Sequence, residues 1–159
     1  MRVGFGLGSN IGDKPANIAQ ALRLIEERQI ARLVAISRTY RTPPWGVVDQ
    51  GDFANACAIG ETSLSPYELL AEVKRIEADM GRAPTRRWGP RLIDVDILFL
   101  GEHTLDDPEL TLPHKELFGR GFVLAPLAEI APNLVLDGIL VAQALANVDV
   151  AGVRPWEEG

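Results

Sequence analysis

Two carboxylates stand two residues apart in an apolar segment that follows a cationic loop. Asp94 and Asp96 alternate with three branched apolar residues, which indicates a β-strand over residues 93–100. Side chains at i and i+2 of a strand point to the same face, so the two carboxylates converge while the apolar side chains face a core. Carboxylates in such surroundings need a compensating cation. Paired carboxylate oxygens suit Mg²⁺, whose sites commonly hold substrate phosphates as well.

The loop before this strand, residues 86–91, reads Arg-Arg-Trp-Gly-Pro-Arg. Guanidinium groups beside metal-binding carboxylates favour phosphoryl transfer, in which catalysis consists mostly of positioning and charge stabilisation. The alternative is a pair of surface acids on an edge strand, which is the common role of an isolated Asp-x-Asp pattern. The apolar neighbours of the pair and the loop before it favour the metal site.

Composition is typical of an ordinary globular protein. The 159 residues are 47% hydrophobic and 24% charged, which predicts a single domain over 1–159 with a substantial core. The net charge of −6 argues against a nucleic-acid partner. Cys57 is the only cysteine, which excludes an intramolecular disulfide and a thiolate metal cage. Neither a signal peptide nor a membrane-spanning run is evident, so we expect a cytoplasmic protein that binds no membrane.

The secondary-structure pattern predicts an α+β sheet with helices packed on it. A strand over residues 2–8 alternates apolar residues with glycine, which leaves one face bare for a flat ligand or another backbone. Its glycine spacing departs from the dinucleotide-binding fingerprint, and no phosphate-binding loop motif occurs, so we reject both motifs. Further strands are expected over 33–40 and 53–61. Asp13 and Ser65 provide N-caps for two helices. Strands and helices do not alternate regularly, which disfavours a parallel sheet.

Two candidate ligand sites stay open on spacing alone. Phe53 and Asn55 share a face of the third strand, where a ring and a carboxamide could bind a flat heterocycle. The simpler interpretation makes Phe53 core and Asn55 a turn former at the strand end. His114 could bind a phosphate, although a lone histidine is more often structural. Residues 41–52 contain two prolines and two glycines, which is typical of a lid loop.

The combined segments are similar to those of one enzyme family along almost the whole chain. The most specific match is Arg87-Trp88-Gly89-Pro90-Arg91 with Asp94-Val95-Asp96. The other matching segments, in chain order, are Gly8-Ser9-Asn10, Arg41-Thr42-Pro43-Pro44, Phe53-Ala54-Asn55, Arg75-Ile76-Glu77, Leu112-Pro113-His114, Arg120-Gly121-Phe122 and Pro126-Leu127. The chain thereby resembles the 6-hydroxymethyl-7,8-dihydropterin pyrophosphokinases of folate biosynthesis.

The resemblance implies a ferredoxin-like, mostly antiparallel α+β fold in a monomeric enzyme. The implied reaction transfers pyrophosphate from ATP to the hydroxymethyl group of a reduced pterin and releases AMP. Asp94 and Asp96 would hold two Mg²⁺ ions, and Arg82 and Arg91 would join them as catalytic residues that contact the phosphates.

The resemblance also implies which residues contact the two substrates. Phe53 and Phe122 would sandwich the pterin. The residues implied at its edge are Asn55, Thr42, Pro43 and Trp45. The residues implied near ATP are Lys74, Glu77, Trp88, Arg91, Ile97, Thr111, His114 and Arg120. The chain departs from many relatives at Pro84, where a second arginine is common, and at Phe53, where tyrosine is common.

Three rival functions remain at this stage. A nucleic-acid-binding module could use the arginine–tryptophan loop, and its affinity would depend strongly on salt. A two-metal phosphoesterase would hydrolyse phosphoesters without a pterin. A catalytically inactive pterin-binding protein is disfavoured because both aspartates are present.

Overall fold

A six-stranded antiparallel sheet forms the centre of the protein in the computed structural model, which describes residues 1–43, 52–81 and 92–156. The strands are β1 (Arg2–Ser9), β2 (Arg32–Ile36), β3 (Tyr40–Thr42), β4 (Phe53–Glu61), β5 (Asp94–Leu100), β6 (Leu105–Asp106), β7 (Thr111–Leu112), β8 (Val135–Leu136), β9 (Ile139–Leu140) and β10 (Arg154–Pro155). The helices are α1 (Lys14–Glu27), α2 (Pro66–Met80), α3 (Gly121–Ile130) and α4 (Val141–Ala146).

The order of strands in the main sheet is β10-β3-β4-β1-β5, and β2 also pairs with β4. The units β1–α1–β2 and β4–α2–β5 therefore interleave, with β1 between β4 and β5. All of these pairs are antiparallel. This is the ferredoxin-like arrangement, which confirms the expected fold class. The pairs β6–β7 and β8–β9 form two separate small ribbons.

The strand expected over 33–40 is in fact two strands, β2 and β3, separated by a bulge. Both pair with β4, but their registers differ by one residue. At the break, the backbone N–H of Ser37 donates to the Cys57 carbonyl, and the Ser37 hydroxyl accepts from the Cys57 N–H, both at 2.9 Å. A side chain thus replaces a backbone acceptor, which produces the extra residue of a bulge.

Both predicted helix caps are present. The Asp13 carboxylate accepts a hydrogen bond from the Ala16 N–H at 3.2 Å and begins α1. Ser65 and Glu68 form the reciprocal capping box of α2, which has Gly81 as its C-cap. None of the helices in the described ranges combines the length and apolar character needed to cross a membrane.

The two faces of the sheet carry separate apolar clusters. Helices α1 and α2 cover the face that presents Val3 and Phe5. Helices α3 and α4 cover the opposite face, which presents Leu98 and Phe99. The bare glycine face of β1 lies on this second side, where a Cβ on Gly4 would stand 2.2 Å from the Phe99 ring. Glycine is required here because the neighbouring strand lays an aromatic ring across it.

A polar cluster joins the edge strand β3 to helix α3. The Tyr40 hydroxyl donates to Glu129 at 2.6 Å, and the Arg38 backbone N–H donates to the same carboxylate at 3.1 Å. Burial alone would raise the pKa of Glu129, but these hydrogen bonds and the Arg38 charge outweigh it and lower that pKa below its ordinary value. The cluster therefore stabilises the packing of α3 on the sheet when Glu129 is ionised.

We expect the Glu129→Gln variant to lose about 1 kcal/mol of unfolding free energy at pH 7, because glutamine keeps an acceptor oxygen and loses only the extra strength that a charged acceptor gives these hydrogen bonds. A lowered folded-state pKa stabilises the fold above the ordinary glutamate pKa of about 4.3, and this contribution is lost as pH falls through the lowered value. The difference from wild type should therefore shrink towards pH 3 in urea unfolding. Glu27→Gln, an exposed acid of α1, is the matched control. A deficit independent of pH would contradict the assignment.

Candidate active site

The carboxylate pair lies at the start of β5, facing the glycines of β1. Asp94 and Asp96 are half-buried, and their partners in the strand register are Gly8 and Gly6. The intervening Val95 is buried in the core of the opposite face. The alternation predicted from the sequence is therefore confirmed, and both carboxylates lie on the same face of the sheet.

Two side chains give a divalent ion only part of its ligand set. Within the described ranges no cluster of three acidic, histidine or cysteine side chains could form a metal cage by itself. Mg²⁺ characteristically binds through one or two carboxylates and completes its octahedron with water and substrate phosphate oxygens. The donor set of Asp94 and Asp96 fits that pattern.

A first cavity opens on one side of the carboxylate pair, between the sheet and the start of α3. Gly6 and Gly8 of β1 line part of its wall, on the strand face that the sequence predicted to be open to a flat ligand or another backbone. Two aromatic rings, an amide, a hydroxyl and a guanidinium line it together with the carboxylates. The side chains that matter for recognition are Thr42, Phe53, Asn55, Arg120 and Phe122.

The Asn55 carboxamide is held in a fixed orientation in the wall of the first cavity. Its Nδ2 donates to the Thr42 hydroxyl at 3.0 Å, and both side chains are buried. The Oδ1 atom lies so close to Gly8 that a Cβ there would approach it to 3.1 Å. A buried carboxamide beside two aromatic rings can pair with the polar edge of a planar heterocycle. The structure thus favours the ligand interpretation of Phe53 and Asn55 over the packing interpretation.

Arg120 precedes α3 at the rim of the first cavity. Its guanidinium lies 5.5 Å from the centroid of the Phe122 ring and forms an ion pair with Glu116. Arg120 is therefore held beside the aromatic wall, where its charge can interact with an anionic group on the ligand.

A second cavity lies on the other side of the carboxylate pair, between α2 and residues 108–115. Lysine, histidine and threonine side chains line it, so it suits a phosphorylated ligand. Asp94 and Asp96 belong to the walls of both cavities. The residues expected near ATP that line this second cavity are Lys74, Glu77, Ile97, Thr111 and His114.

His114 is oriented by hydrogen bonds at both its backbone and its ring. Its N–H donates to the Leu98 carbonyl of β5 at 2.8 Å, and its Nδ1 accepts from the Glu116 N–H at 3.2 Å. An accepting Nδ1 leaves Nε2 as the protonated nitrogen, which can donate to an anion in the second cavity. This geometry supports the phosphate interpretation of His114.

Glu77 of α2 has a structural role that the sequence analysis did not identify. Its carboxylate accepts a hydrogen bond from the Val95 N–H at 2.8 Å, between the two aspartates. Burial raises the pKa of Glu77, and the negative charges of Asp94 and Asp96 add to the rise, against the hydrogen bond from Val95 and the charge of Lys74. Glu77 therefore anchors the backbone that presents the carboxylate pair.

We expect Glu77→Ala to lower kcat about tenfold, because an unsatisfied Val95 N–H loosens the strand segment that carries both carboxylates. Glu77→Gln retains an acceptor for that N–H and should keep most of the activity. Steady-state measurement of kcat for both variants tests this prediction. Equal losses in the two variants would show that charge, and not the hydrogen bond, is the important property.

Several sequence-predicted residues lie outside the described ranges. These are Trp45 and the lid loop around it, together with Arg82, Pro84, Trp88 and Arg91. Pro43 is described and lies exposed beside Thr42. The sequence analysis missed Cys57 and Val123 as wall residues of the first cavity. The two-residue spacing from Asn55 could have identified Cys57, whereas no local signal identifies Val123.

The chain is similar in sequence to known proteins. A family model described as 7,8-dihydro-6-hydroxymethylpterin-pyrophosphokinase matches residues 4–132. A 2-amino-4-hydroxy-6-hydroxymethyldihydropteridine pyrophosphokinase of Methylorubrum extorquens is 49% identical over 156 residues, covering 98% of this chain and 99% of that protein. The protein of the same name from Pseudomonas aeruginosa is 42% identical over 154 residues, covering 96% of this chain and 95% of that protein.

A solved structure is similar in fold. The Plasmodium falciparum HPPK-DHPS crystal structure with STZ-DHP gives a TM-score of 0.73 at 16% sequence identity. The match covers 91% of this chain and 42% of that chain, so this chain spans about two fifths of the length of the structure. At this identity the similarity shows the fold alone.

Proposed function

The chain belongs to the 7,8-dihydro-6-hydroxymethylpterin-pyrophosphokinase family, and we propose that its two cavities and shared carboxylates make it a Mg²⁺-dependent enzyme of that activity. The reaction transfers pyrophosphate from ATP to 6-hydroxymethyl-7,8-dihydropterin in folate biosynthesis. The observation that carries the mechanism is the position of Asp94 and Asp96 in the walls of both cavities.

The first cavity binds the pterin in this proposal. Phe53 and Phe122 provide apolar faces for the bicyclic ring, and Asn55 provides a buried amide for its polar edge. Thr42 fixes the orientation of that amide, and Pro43, the next residue along the chain, is assigned to the polar edge on family similarity. Trp45 is assigned to the same edge on family similarity. The hydroxymethyl group of a pterin bound there would point towards the carboxylate pair.

The second cavity binds ATP. Lys74 and His114 supply donors for the phosphates, and Thr111 lies on the nucleotide side with Ile97. Arg120 is assigned to the phosphates that reach the first cavity. Similarity to the family supports the assignment of Arg82 and Arg91 to the transferred phosphates and of Trp88 to the nucleotide.

The chemical step is an in-line displacement. The pterin hydroxymethyl oxygen attacks the β-phosphorus of ATP and loses its proton to solvent, the bond from that phosphorus to the α–β bridging oxygen breaks, and AMP leaves with that bridging oxygen. Two Mg²⁺ ions held by Asp94 and Asp96 would supply charge neutralisation to the polyphosphate. The chain itself contributes the alignment of the two substrates across the carboxylates, which is worth several orders of magnitude in rate.

The proposal includes a single domain over residues 1–159, active as a monomer in the cytoplasm. The near-complete coverage of the bacterial relatives supports the single domain. Sedimentation velocity of the purified chain tests the monomer.

Product analysis with ATP, Mg²⁺ and 6-hydroxymethyl-7,8-dihydropterin tests the proposal. AMP should form one-for-one with the pterin diphosphate, and omission of the pterin or the metal should abolish both products. Formation of ADP or free phosphate, or hydrolysis without pterin, would indicate a different phosphoryl-transfer enzyme. Pterin binding without turnover would indicate a binding protein.

A further inference from the structure

Residues 149–156 lie beyond the region matched by the family model, which ends at residue 132, yet they contact, directly or through Arg41, the chain neighbours of three residues that line the first cavity. We infer that this segment positions the pterin-binding residues Thr42, Phe53 and Phe122, and so sets the affinity for the pterin. The inference rests on the proposed function of the first cavity.

The first contact is with the residue before Phe122. Gly121 begins α3 and packs against the segment so closely that a Cβ on it would lie 2.7 Å from the Asp149 carbonyl oxygen and 3.0 Å from Val150 Cγ1. The N-terminus of α3, which carries Phe122, therefore rests directly on residues 149 and 150.

The second contact is with the residue after Thr42. Gly152 has a φ of +84° and packs against Pro43, since a Cβ at Gly152 would approach Pro43 Cγ to 2.7 Å. Strand β10 continues this contact by pairing with β3, where Arg154 lies opposite Arg41. The strand end that presents Thr42 is thereby held against the segment on one side and β4 on the other.

The third contact reaches Phe53 through a stacked arginine. The Arg41 guanidinium lies 4.0 Å from the centroid of the Trp156 ring, and its Nη1 is 3.2 Å from Asp52 Oδ2. Trp156 is itself bound to the sheet, because its backbone N–H donates a hydrogen bond to the Thr39 carbonyl at 2.9 Å. Asp52 immediately precedes Phe53, so Trp156 orients the residue that begins the aromatic wall.

All three contacts are made by the same segment, residues 149–156. Thr42, Phe53 and Phe122 come from β3, β4 and α3, and residues 149–156 contact the neighbour of each one directly or through Arg41. The second cavity, by contrast, is lined by α2, β5 and residues 108–115. A disturbance of the contacts that Gly152 and Trp156 make should therefore affect pterin binding and leave ATP binding unchanged.

A pair of glycine variants separates positioning from general destabilisation. Gly152→Ala and Gly138→Ala both place a Cβ at a positive φ, of +84° and +76°, but nothing lies within 4 Å of the added Cβ at Gly138. Both changes carry a similar backbone cost, while only Gly152→Ala displaces Pro43. Gly152→Ala should raise the Kd for 6-hydroxymethyl-7,8-dihydropterin five- to tenfold in calorimetric titration. Gly138→Ala should leave it within twofold of wild type, and the KM for ATP should be unchanged in both.

Variants at Trp156 provide the second test. Trp156→Ala removes the ring beneath Arg41 and should raise the pterin Kd by a similar factor, whereas Trp156→Phe keeps an aromatic face and should restore most of the affinity. Equal pterin affinities in Gly152→Ala and Gly138→Ala would overturn the inference, as would a parallel loss of ATP binding. Product analysis of the wild type distinguishes a failure of this inference from a failure of the proposed function. Absence of AMP formation would overturn the proposed function whatever the pterin affinities of the variants.

Discussion

Replacement of Asp94 or Asp96 by alanine is expected to lower kcat at least about a thousandfold, because each change removes half of the carboxylate charge that binds the metal. The fold should survive, since both side chains are half-buried on the cavity face and the core residue between them is unchanged. The rate of AMP formation measures the effect, and thermal unfolding reports the fold.

Asp106→Ala is the matched control for the two aspartates. Asp106 is an exposed acid on the small ribbon strand β6, so its loss changes the net charge equally without touching either cavity. Its activity should stay within twofold of wild type. Chelation of Mg²⁺ should abolish wild-type turnover, and added Mg²⁺ should restore it. Rates within tenfold of wild type in either active-site variant would contradict the metal assignment.

Replacement of Asn55 by alanine is expected to raise the KM for the pterin by about 10- to 100-fold, with the KM for ATP unchanged. A buried carboxamide that pairs with a polar ligand edge contributes about 1–3 kcal/mol, and its loss leaves the ligand group unpaired. The change also removes the donor to Thr42. Initial rates at varied pterin and saturating ATP measure the effect.

Asn147→Ala provides the control for Asn55, because Asn147 is an exposed residue at the end of α4 and lines neither cavity. It should reproduce the wild-type kinetics. A rise in the KM for ATP equal to the rise for the pterin would show that Asn55 acts on the whole site, and would contradict its assignment to the pterin cavity.

Local signals in the sequence are sufficient for much of this fold. The capping box at Ser65 depends on residues three apart, and the opposed faces of β4, and of β5 as far as Ile97, follow from two-residue periodicity. The convergence of Asp94 with Asp96 has the same origin. Each of these features is determined by near neighbours along the chain, so the sequence predicts each correctly.

The features that were not predictable depend on distant partners. The break between β2 and β3 arises because the Ser37 hydroxyl accepts from Cys57, twenty residues away. The anchoring of Val95 by Glu77 requires α2 to pack beside β5. The hydrophobic periodicity of the strands and of α2 does not indicate either contact. The resemblance to a family could place residues in a site, but it could not show which of them support one another.

The pairing of β10 with β3 also has a consequence for the order of events in folding. Arg154 lies more than 100 residues beyond its partner Arg41. Strand β10 is the last strand of the main sheet along the chain, so this contact can form only after β1, β3, β4 and β5 have all been synthesised. On the ribosome, β3 is synthesised long before β10 emerges to cover its edge. A nascent chain should therefore acquire a protected sheet centre, measurable by hydrogen exchange, before it acquires a pterin-binding surface.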